Sequence, residues 1–217
     1  MPGDDTFENL LTAMKRAAAA LRDNDIDVAL AGGFAVYARG GPPTEHDVDF
    51  MLKEDDAGRA LEVLEAIGFR SERPPEGWLY KVYDERGSMI DLIFAPNGKP
   101  EVVPGILERA EVIEIYAITM KVMSVADVLA TKLLTLKEHE VDYESVLEVA
   151  RACREQIDWD LLRRSTRGVT LREGVLHARR GARARRLSVT PPSWRRSRAA
   201  RRGGAAPPPR AAARARA

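Results

Sequence analysis

Two acidic residues in one short segment are the part of this sequence best suited to chemistry. Asp47 and Asp49 alternate with the apolar residues Val48 and Phe50, and successive side chains of a β-strand point to opposite faces. The two carboxylates therefore share a face, where they repel each other unless a cation lies between them. Carboxylate oxygens are ligands that suit Mg²⁺, so the segment predicts a divalent-cation site.

A glycine pair precedes these acids. Gly32 and Gly33 follow a short apolar segment, residues 27–31, and precede a helical pattern that begins at Phe34. Bare backbone N–H groups at the start of a helix suit a phosphate. Taken alone, a glycine pair is usually a turn and an Asp-x-Asp is usually a solvated edge. Their order and spacing, together with a third acid, indicate a metal beside a phosphate, which is nucleotide chemistry.

The third acid is Asp91, which lies within the apolar run of residues 88–94. Such a run is typical of a buried central strand, where a lone carboxylate is costly to ionise without a partner. One interpretation is a structural aspartate in a salt bridge. We favour the other, in which this strand neighbours the strand of Asp47 and Asp49 and brings three carboxylates around one or two metal ions.

The glycine pair, the paired acids and the third acid, at these intervals, resemble the nucleotidyltransferase superfamily that includes DNA polymerase β. Over residues 7–163 the resemblance is closest to small bacterial members, namely the AbiEii/MenT-type toxin nucleotidyltransferases and the MNT-like and lincosamide-type transferases. It implies an α+β fold, in which a mixed β-sheet is flanked by helices and followed by a C-terminal helical annex. It also implies a two-metal Mg²⁺ site, for which Mn²⁺ would serve as well.

The resemblance assigns roles to individual residues. The metal ligands would be Asp47, Asp49 and Asp91, the catalytic residues these three and Lys132, and the nucleotide-binding residues Gly32, Gly33, Thr44 and Lys132. Thr44 departs from the toxin pattern, because it stands three residues before the first acid where a Ser or Thr often stands two before. Lys132 has an alternative interpretation as a surface lysine whose stem covers apolar neighbours.

The activity implied is transfer of a nucleoside monophosphate from an NTP to an acceptor hydroxyl, with pyrophosphate released. The toxin resemblance implies a tRNA 3′ end as acceptor and a cognate antitoxin protein as partner. Three alternatives stay open: an antibiotic-type transferase acting on a small molecule, a transferase acting on a protein, and a non-catalytic interaction protein of the same fold.

Composition narrows the setting of this 217-residue chain. It has one cysteine, Cys153, so an internal disulfide is excluded and a reducing, cytoplasmic location is expected. Its three histidines are scattered along the sequence, which argues against a zinc site. It contains no apolar run of about 18 residues, so we expect no membrane span.

Hydrophobic periodicity divides the chain into three parts. We predict a nucleotidyltransferase core in residues 1–120, a helical annex in 121–165 and a disordered tail in 166–217. Within the core and annex, the predicted helices are residues 6–23, 34–39, 55–67, 128–139, 143–155 and 159–163. The predicted strands are residues 27–31, 46–52, 79–83 and 89–94, with an extended segment at 111–120. The turn residues 84–87 predict that strands 79–83 and 89–94 form a hairpin.

Charge is distributed very unevenly along the sequence. From residue 161 onward there are 17 arginines and one glutamate, a net charge of +16, whereas residues 1–160 carry −15. The tail has the Arg/Ala/Pro/Gly composition that GC-rich DNA encodes when it is read out of frame, so we hypothesise a frame-altered or recently acquired end. The competing hypothesis is an electrostatic arm that contacts RNA phosphates.

Overall fold

Residues 3–44, 46–136 and 143–167 are described by the structure, which is a computed structural model. They all belong to the first of two compact units of the chain, Met1–Arg179. Two predictions lie outside the described residues: the tail from residue 168 onward and the end of the predicted helix at residues 137–139. The boundaries at residues 120 and 165 therefore stay predictions.

The described helices are α1 (Gly3–Asp23), α2 (Gly32–Ala38), α3 (Glu54–Ala66), α4 (Val103–Arg109), α5 (Val125–Thr135), α6 (Glu144–Ala152) and α7 (Trp159–Ser165). The described strands are β1 (Val28–Ala31), β2 (Val48–Leu52), β3 (Arg70–Glu72), β4 (Leu79–Tyr83), β5 (Met89–Ile93), β6 (Glu111–Ile115) and β7 (Ile118–Val122). Short 3₁₀ turns lie at Pro96–Gly98, Pro100–Val102 and Arg154–Gln156.

These strands form one mixed sheet in the order β3-β4-β5-β2-β1-β7-β6. β2 lies at its centre, antiparallel to β1 and parallel to β5. With helices flanking this sheet, the predicted α+β class is confirmed. The register places Ala31 opposite Asp49, and Asp49 opposite Asp91. The end of β1, the paired acids and the third acid are therefore brought together by strand pairing alone.

One face of the two acid-bearing strands supplies the core. Val48 and Phe50 of β2 and Ile90 and Leu92 of β5 are fully buried. Helix α1 contacts β5, and it packs against α3, which contacts β4. Because side chains alternate along a strand, the acids between these apolar residues must point to the opposite face of the sheet.

The segment predicted to be extended, residues 111–120, is a tight hairpin. β6 and β7 are antiparallel with Ile115 opposite Ile118, so Tyr116 and Ala117 form a two-residue turn. Both have positive φ, 48° and 66°, a conformation that usually selects Gly or Asn. Neither residue carries that sequence signal, so the prediction of a single extended segment was wrong here.

Helix α5 is capped at its start by the side chain of Ser124. The Ser124 Oγ accepts a hydrogen bond from the Asp127 backbone N–H (3.1 Å) and donates one to Asp127 Oδ2 (2.7 Å). The Asp127 carboxylate also accepts hydrogen bonds from Nε and Nη2 of Arg109, at 3.1 and 2.8 Å. Arg109 is the last residue of α4, a helix that the sequence analysis did not predict. α4 and α5 are thus joined through one buried carboxylate.

The C-terminal helices of the described chain pack on one another. Helix α5 contacts both α6 and α7, and the division of these helices into a separate annex stays a prediction. Among the described residues, no helix is both long and apolar enough to cross a membrane.

Candidate active site

The glycine pair lies where β1 passes directly into α2, and it allows two close approaches. Gly32 has φ +51°, and a Cβ there would lie 1.8 Å from Oδ2 of Asp49. A Cβ on Gly33 would lie 2.7 Å from both Cβ and Oγ1 of Thr44. The backbone can therefore contact a carboxylate on one side and a hydroxyl-bearing side chain on the other because neither glycine has a side chain.

Three carboxylates converge beside this turn. Asp47 immediately precedes β2, Asp49 lies within it, and Asp91 is paired with Asp49 across the β2–β5 ladder. Each offers an oxygen within 4.8 Å of the others. Asp47 and Asp49 are half-buried and Asp91 is buried. The structure thus brings the three predicted acids into one cluster, while their role as metal ligands stays a prediction.

The electrostatic cost of this cluster is concentrated on Asp49. Burial raises its pKa to about 7, and the neighbouring charges of Asp47 and Asp91 contribute to the rise, whereas Lys132 and Lys81 oppose it. Burial also raises the pKa of Asp91 above its usual value. The Asp49 carboxylate is thus poorly compensated by the protein alone, and a proton or a cation beside it would stabilise it.

A lysine that the sequence analysis missed contacts the third acid. Lys81 of β4 is directly opposite Asp91 in the β4–β5 pairing. Its Nζ donates hydrogen bonds to Oδ1 of Asp91 at 2.9 Å and to Oδ2 at 3.1 Å. Its charge offsets part of the rise in the pKa of Asp91. Asp91 therefore has a salt-bridge partner and also belongs to the acidic cluster, so the two interpretations of this residue are not exclusive.

A cavity of about 310 Å³ opens beside the acids. It is lined by six of the predicted site residues, namely Gly32, Gly33, Thr44, Asp47, Asp49 and Lys132. Trp78 and Asn97 also line it and were not singled out from the sequence. Lys132 is half-buried on α5, and its charge opposes the rise in the pKa of Asp49. It therefore faces the acids, although its catalytic role stays a prediction.

The donor set of the cluster fits a divalent cation. Its members are carboxylates, which Mg²⁺ and Mn²⁺ both accept as ligands. A doubly charged ion would also offset the burial and the mutual repulsion that together raise the pKa of Asp49. The residues present thus fit a metal, and they do not distinguish between these two ions.

Comparisons with known proteins agree with this geometry. A family model described as an uncharacterised nucleotidyltransferase matches residues 7–185. None of the curated protein sequences matches the chain.

Solved structures share the fold at low sequence identity. The solution structure of the antibiotic-resistance factor ANT(2'')-Ia is 13% identical with a TM-score of 0.57, and the match covers 81% of this chain and 98% of that one. A crystal structure of ANT(2'')-Ia in complex with adenylyl-2''-tobramycin is 16% identical with a TM-score of 0.53, covering 80% and 98%. At these identities the likeness shows the polymerase β-like nucleotidyltransferase fold.

Proposed function

The chain belongs to the nucleotidyltransferase family whose model it matches, and from that premise we propose that it transfers a nucleoside monophosphate from an NTP to an acceptor hydroxyl with the aid of divalent cations. One observation carries the proposal: the carboxylates of Asp47, Asp49 and Asp91 converge within 4.8 Å beside a glycine turn. A triphosphate is itself highly negative, so it can approach three carboxylates only where cations neutralise the charge.

The glycine turn and Lys132 form the phosphate side of the proposed site. Because Gly32 and Gly33 lack side chains, phosphate oxygens can approach their backbone N–H groups closely. Thr44 packs against Gly33 and lines the same cavity. The Lys132 ammonium, a compact point charge, neutralises charge on the triphosphate. Positioning and charge neutralisation of this kind supply most of the catalysis in phosphoryl-type transfer.

The carboxylates form the reacting side. Asp47 and Asp49 would hold one cation, and Asp91 would help to hold a second. Cations bound there would supply electrostatic stabilisation of the transferring group and would lower the pKa of the acceptor hydroxyl. An Asp91 oxygen takes the hydroxyl proton, the acceptor oxygen bonds to the α-phosphorus, and the bond from that phosphorus to the bridging oxygen breaks, which releases pyrophosphate.

For the acceptor, we propose first a tRNA 3′ end, with the protein acting as the toxin of a toxin–antitoxin pair. The support is the resemblance of the glycine pair and the three acids to AbiEii/MenT-type toxins. The proposal does not depend on the 17 arginines from residue 161 onward, which would add contacts to RNA phosphates only if that end is an RNA-binding arm. An antitoxin that covers the acidic cavity is then the expected partner.

A small cationic molecule is the second candidate acceptor. Residues 1–160 carry a net charge of −15, and a negative field of this kind repels RNA and attracts cationic ligands. The fold shared with ANT(2'')-Ia, solved in complex with adenylyl-2''-tobramycin, is compatible with a small acceptor. The net negative charge of residues 1–160 is thus the observation that favours this alternative.

A labelling experiment separates these candidates. The protein is incubated with each α-labelled NTP and Mg²⁺, and then with total tRNA, cationic small molecules or candidate proteins. Label in tRNA supports the toxin proposal, and label in a small molecule or a protein moves the acceptor to that class. If no acceptor is labelled with any NTP, the transferase proposal is contradicted and an interaction protein of this fold becomes the better account.

Replacement of Asp49 tests the site itself. We expect Asp49→Asn to lower the turnover of NMP transfer by at least about 100-fold, because the amide cannot neutralise a cation, while the circular dichroism spectrum is unchanged. Asp27→Asn is the matched control, since Asp27 is also half-buried and accepts a hydrogen bond from Lys121 (2.6 Å) at the other end of β1. Wild-type turnover by Asp49→Asn would refute the assignment.

A further inference from the structure

The ion pair between Lys81 and Asp91 occupies the carboxylate that the proposed function assigns to a metal. Lys81 Nζ lies 2.9 and 3.1 Å from the two Asp91 oxygens, so both are engaged by one ammonium group. The side chains of Lys81 and Asp91 are 25% and 10% exposed. Asp91 is thus held by a cation that the protein itself supplies.

The influence of Lys81 extends beyond its hydrogen-bonded partner. Its charge opposes the rise that burial causes in the pKa of Asp49, and the charge of Asp47 acts in turn on Lys81. All three carboxylates of the cluster therefore feel this ammonium group. A divalent cation among the same carboxylates would meet a positive charge already present there, so lysine and metal oppose each other.

We propose that Lys81 is a built-in counter-ion that competes with the divalent cation for Asp91 and so determines how much metal is needed to recruit this carboxylate. The proposal rests on the proposed metal site. Lys81 is a positioning residue in this account, since it acts through Asp91. Its four-carbon stem is flexible and the side chain is partly exposed, so the ammonium group can leave Asp91 without unfolding β4.

This competition makes the cluster asymmetric. Asp47 and Asp49 have no lysine hydrogen-bonded to them among the described residues, so they are free to bind the first cation. Asp91 becomes available for a second after Lys81 is displaced. In metal-free protein, the same lysine limits the repulsion among three close carboxylates. A purely structural ion pair would stabilise the fold as well, but it would not weaken metal binding.

Mn²⁺ binding followed by electron paramagnetic resonance tests the proposal. We expect Lys81→Met to bind Mn²⁺ about tenfold more tightly at the weaker site, because the competing charge is gone. Lys81→Arg, which keeps the charge, should bind Mn²⁺ less tightly than Lys81→Met.

Lys121→Met is the matched control, since Lys121 is a strand lysine paired with Asp27 (2.6 Å). Its Mn²⁺ affinity should equal that of the wild type. Mn²⁺ affinity in Lys81→Met equal to or weaker than in the wild type would overturn the proposal.

The wild-type chain provides a second measurement, which does not depend on the folding of a variant. During a Mg²⁺ titration, the NMR signal of the Lys81 ε-CH₂ group should shift with saturation, and that of Lys121 should not. An unchanged Lys81 signal at saturating Mg²⁺ would overturn the proposal.

The variants Asp49→Asn and Asp91→Asn separate this inference from the proposed function. If both weaken Mn²⁺ binding while Lys81→Met behaves like the wild type, the metal site stands and the role of Lys81 falls. If the wild type itself binds no Mn²⁺ at millimolar concentration, the metal site and the inference fall together.

Discussion

Asp49 is the residue at which the competing forces in the site meet. The Gly32 backbone lies so close to Oδ2 of Asp49 that a Cβ would not fit between them. The carboxylates of Asp47 and Asp91 lie nearby. Burial and these neighbours raise the pKa of Asp49 to about 7. An ionised carboxylate in these surroundings lowers the stability of the fold and would bind a cation, a combination that is typical of functional sites.

The raised pKa of Asp49 predicts a particular pH dependence of stability. Between pH of about 4 and about 7 the folded state keeps a proton that the unfolded state has lost, so the free energy of unfolding contributed by Asp49 falls as pH rises through this range. We expect urea denaturation in EDTA to show that the wild type loses stability relative to Asp49→Asn from pH 5 to pH 7. A difference between the two proteins that stays constant with pH would contradict the prediction.

Gly32 tests the close approach of backbone and carboxylate. We expect Gly32→Ala to be less stable by at least ~1–2 kcal/mol, because alanine is strained in a left-handed backbone conformation. Its Cβ would also collide with Asp49, so the variant should lose most of its activity. Gly58→Ala on α3 is the control, since a Cβ there meets no described atom within 4 Å and alanine favours the helix. Urea denaturation and a transfer assay measure both effects, and a Gly32→Ala protein as stable and active as Gly58→Ala would show that this contact is unimportant.

At the scale of elements, the buried carboxylate of Asp127 joins α4 to α5, the helix that carries Lys132. The Asp127 side chain is 3% exposed and its Arg109 partner 40% exposed. The charge of Asp127 raises the pKa of Arg109 through their hydrogen bonds. Helix α4 contacts β2, the strand of Asp49, and α5 carries Lys132. This ion pair therefore links the strand of Asp49 to the helix on the proposed phosphate side of the site.

Removing the arginine should therefore cost more than removing a surface partner. We expect Arg109→Ala to lower the free energy of unfolding by about 2 kcal/mol, since it leaves a buried carboxylate without its charged partner. Arg163→Ala is the control, because its ion pair with Asp160 is exposed and should be worth less than ~1 kcal/mol. Urea denaturation at pH 7 compares the two, and equal losses would mean that Asp127 does not need Arg109.

Several elements could be predicted from the sequence because their signals are local. Alternation of apolar residues located β2, and a continuous apolar run located β5. The turn residues 84–87 between β4 and β5 indicated a hairpin. That hairpin contains the information needed to find Lys81, since closing it with Tyr83 opposite Met89 places Lys81 opposite Asp91. The turn residues indicate the hairpin, whereas this pair follows only once the register of its two strands is counted out from the turn.

Other features could not be read from local signals. The turn at Tyr116 and Ala117 has no glycine, and tertiary packing maintains it: the Tyr116 hydroxyl lies 2.7 Å from that of Tyr37. The pairing of Asp127 with Arg109 depends on how α4 meets α5 in space. Trp78 lines the cavity, but it stands in no sequence motif that would have singled it out. These contacts are long-range, so periodicity and spacing do not encode them.

At the scale of the whole molecule, the opposite charges of the two parts of the sequence set the question of the acceptor. Residues 1–160 carry −15, and the remainder carries +16. An acidic core needs either a cationic substrate or a basic arm if RNA is to approach it. The identity of the acceptor therefore depends on whether the arginine-rich end binds RNA.

Truncation addresses that problem directly. We expect removal of residues 186–217, which follow the family match, to leave the rate of NMP transfer and the affinity for tRNA within about twofold of the full chain, as a frame-altered end predicts. The measurements are the labelling assay and a salt titration of tRNA binding, with a variant in which the arginines of 186–217 are replaced by glutamine as the control. If truncation weakens tRNA binding and reduces its salt dependence, the segment is an RNA-binding arm.

The central claim is that Asp47, Asp49 and Asp91 bind divalent cations beside a nucleotide, and anomalous diffraction tests it most directly. Crystals grown with Mn²⁺ and a non-hydrolysable NTP analogue should show anomalous density among the three carboxylates, with the triphosphate along Gly32 and Gly33. Nucleotide bound elsewhere, or carboxylates without Mn²⁺ while the nucleotide is present, would contradict the account.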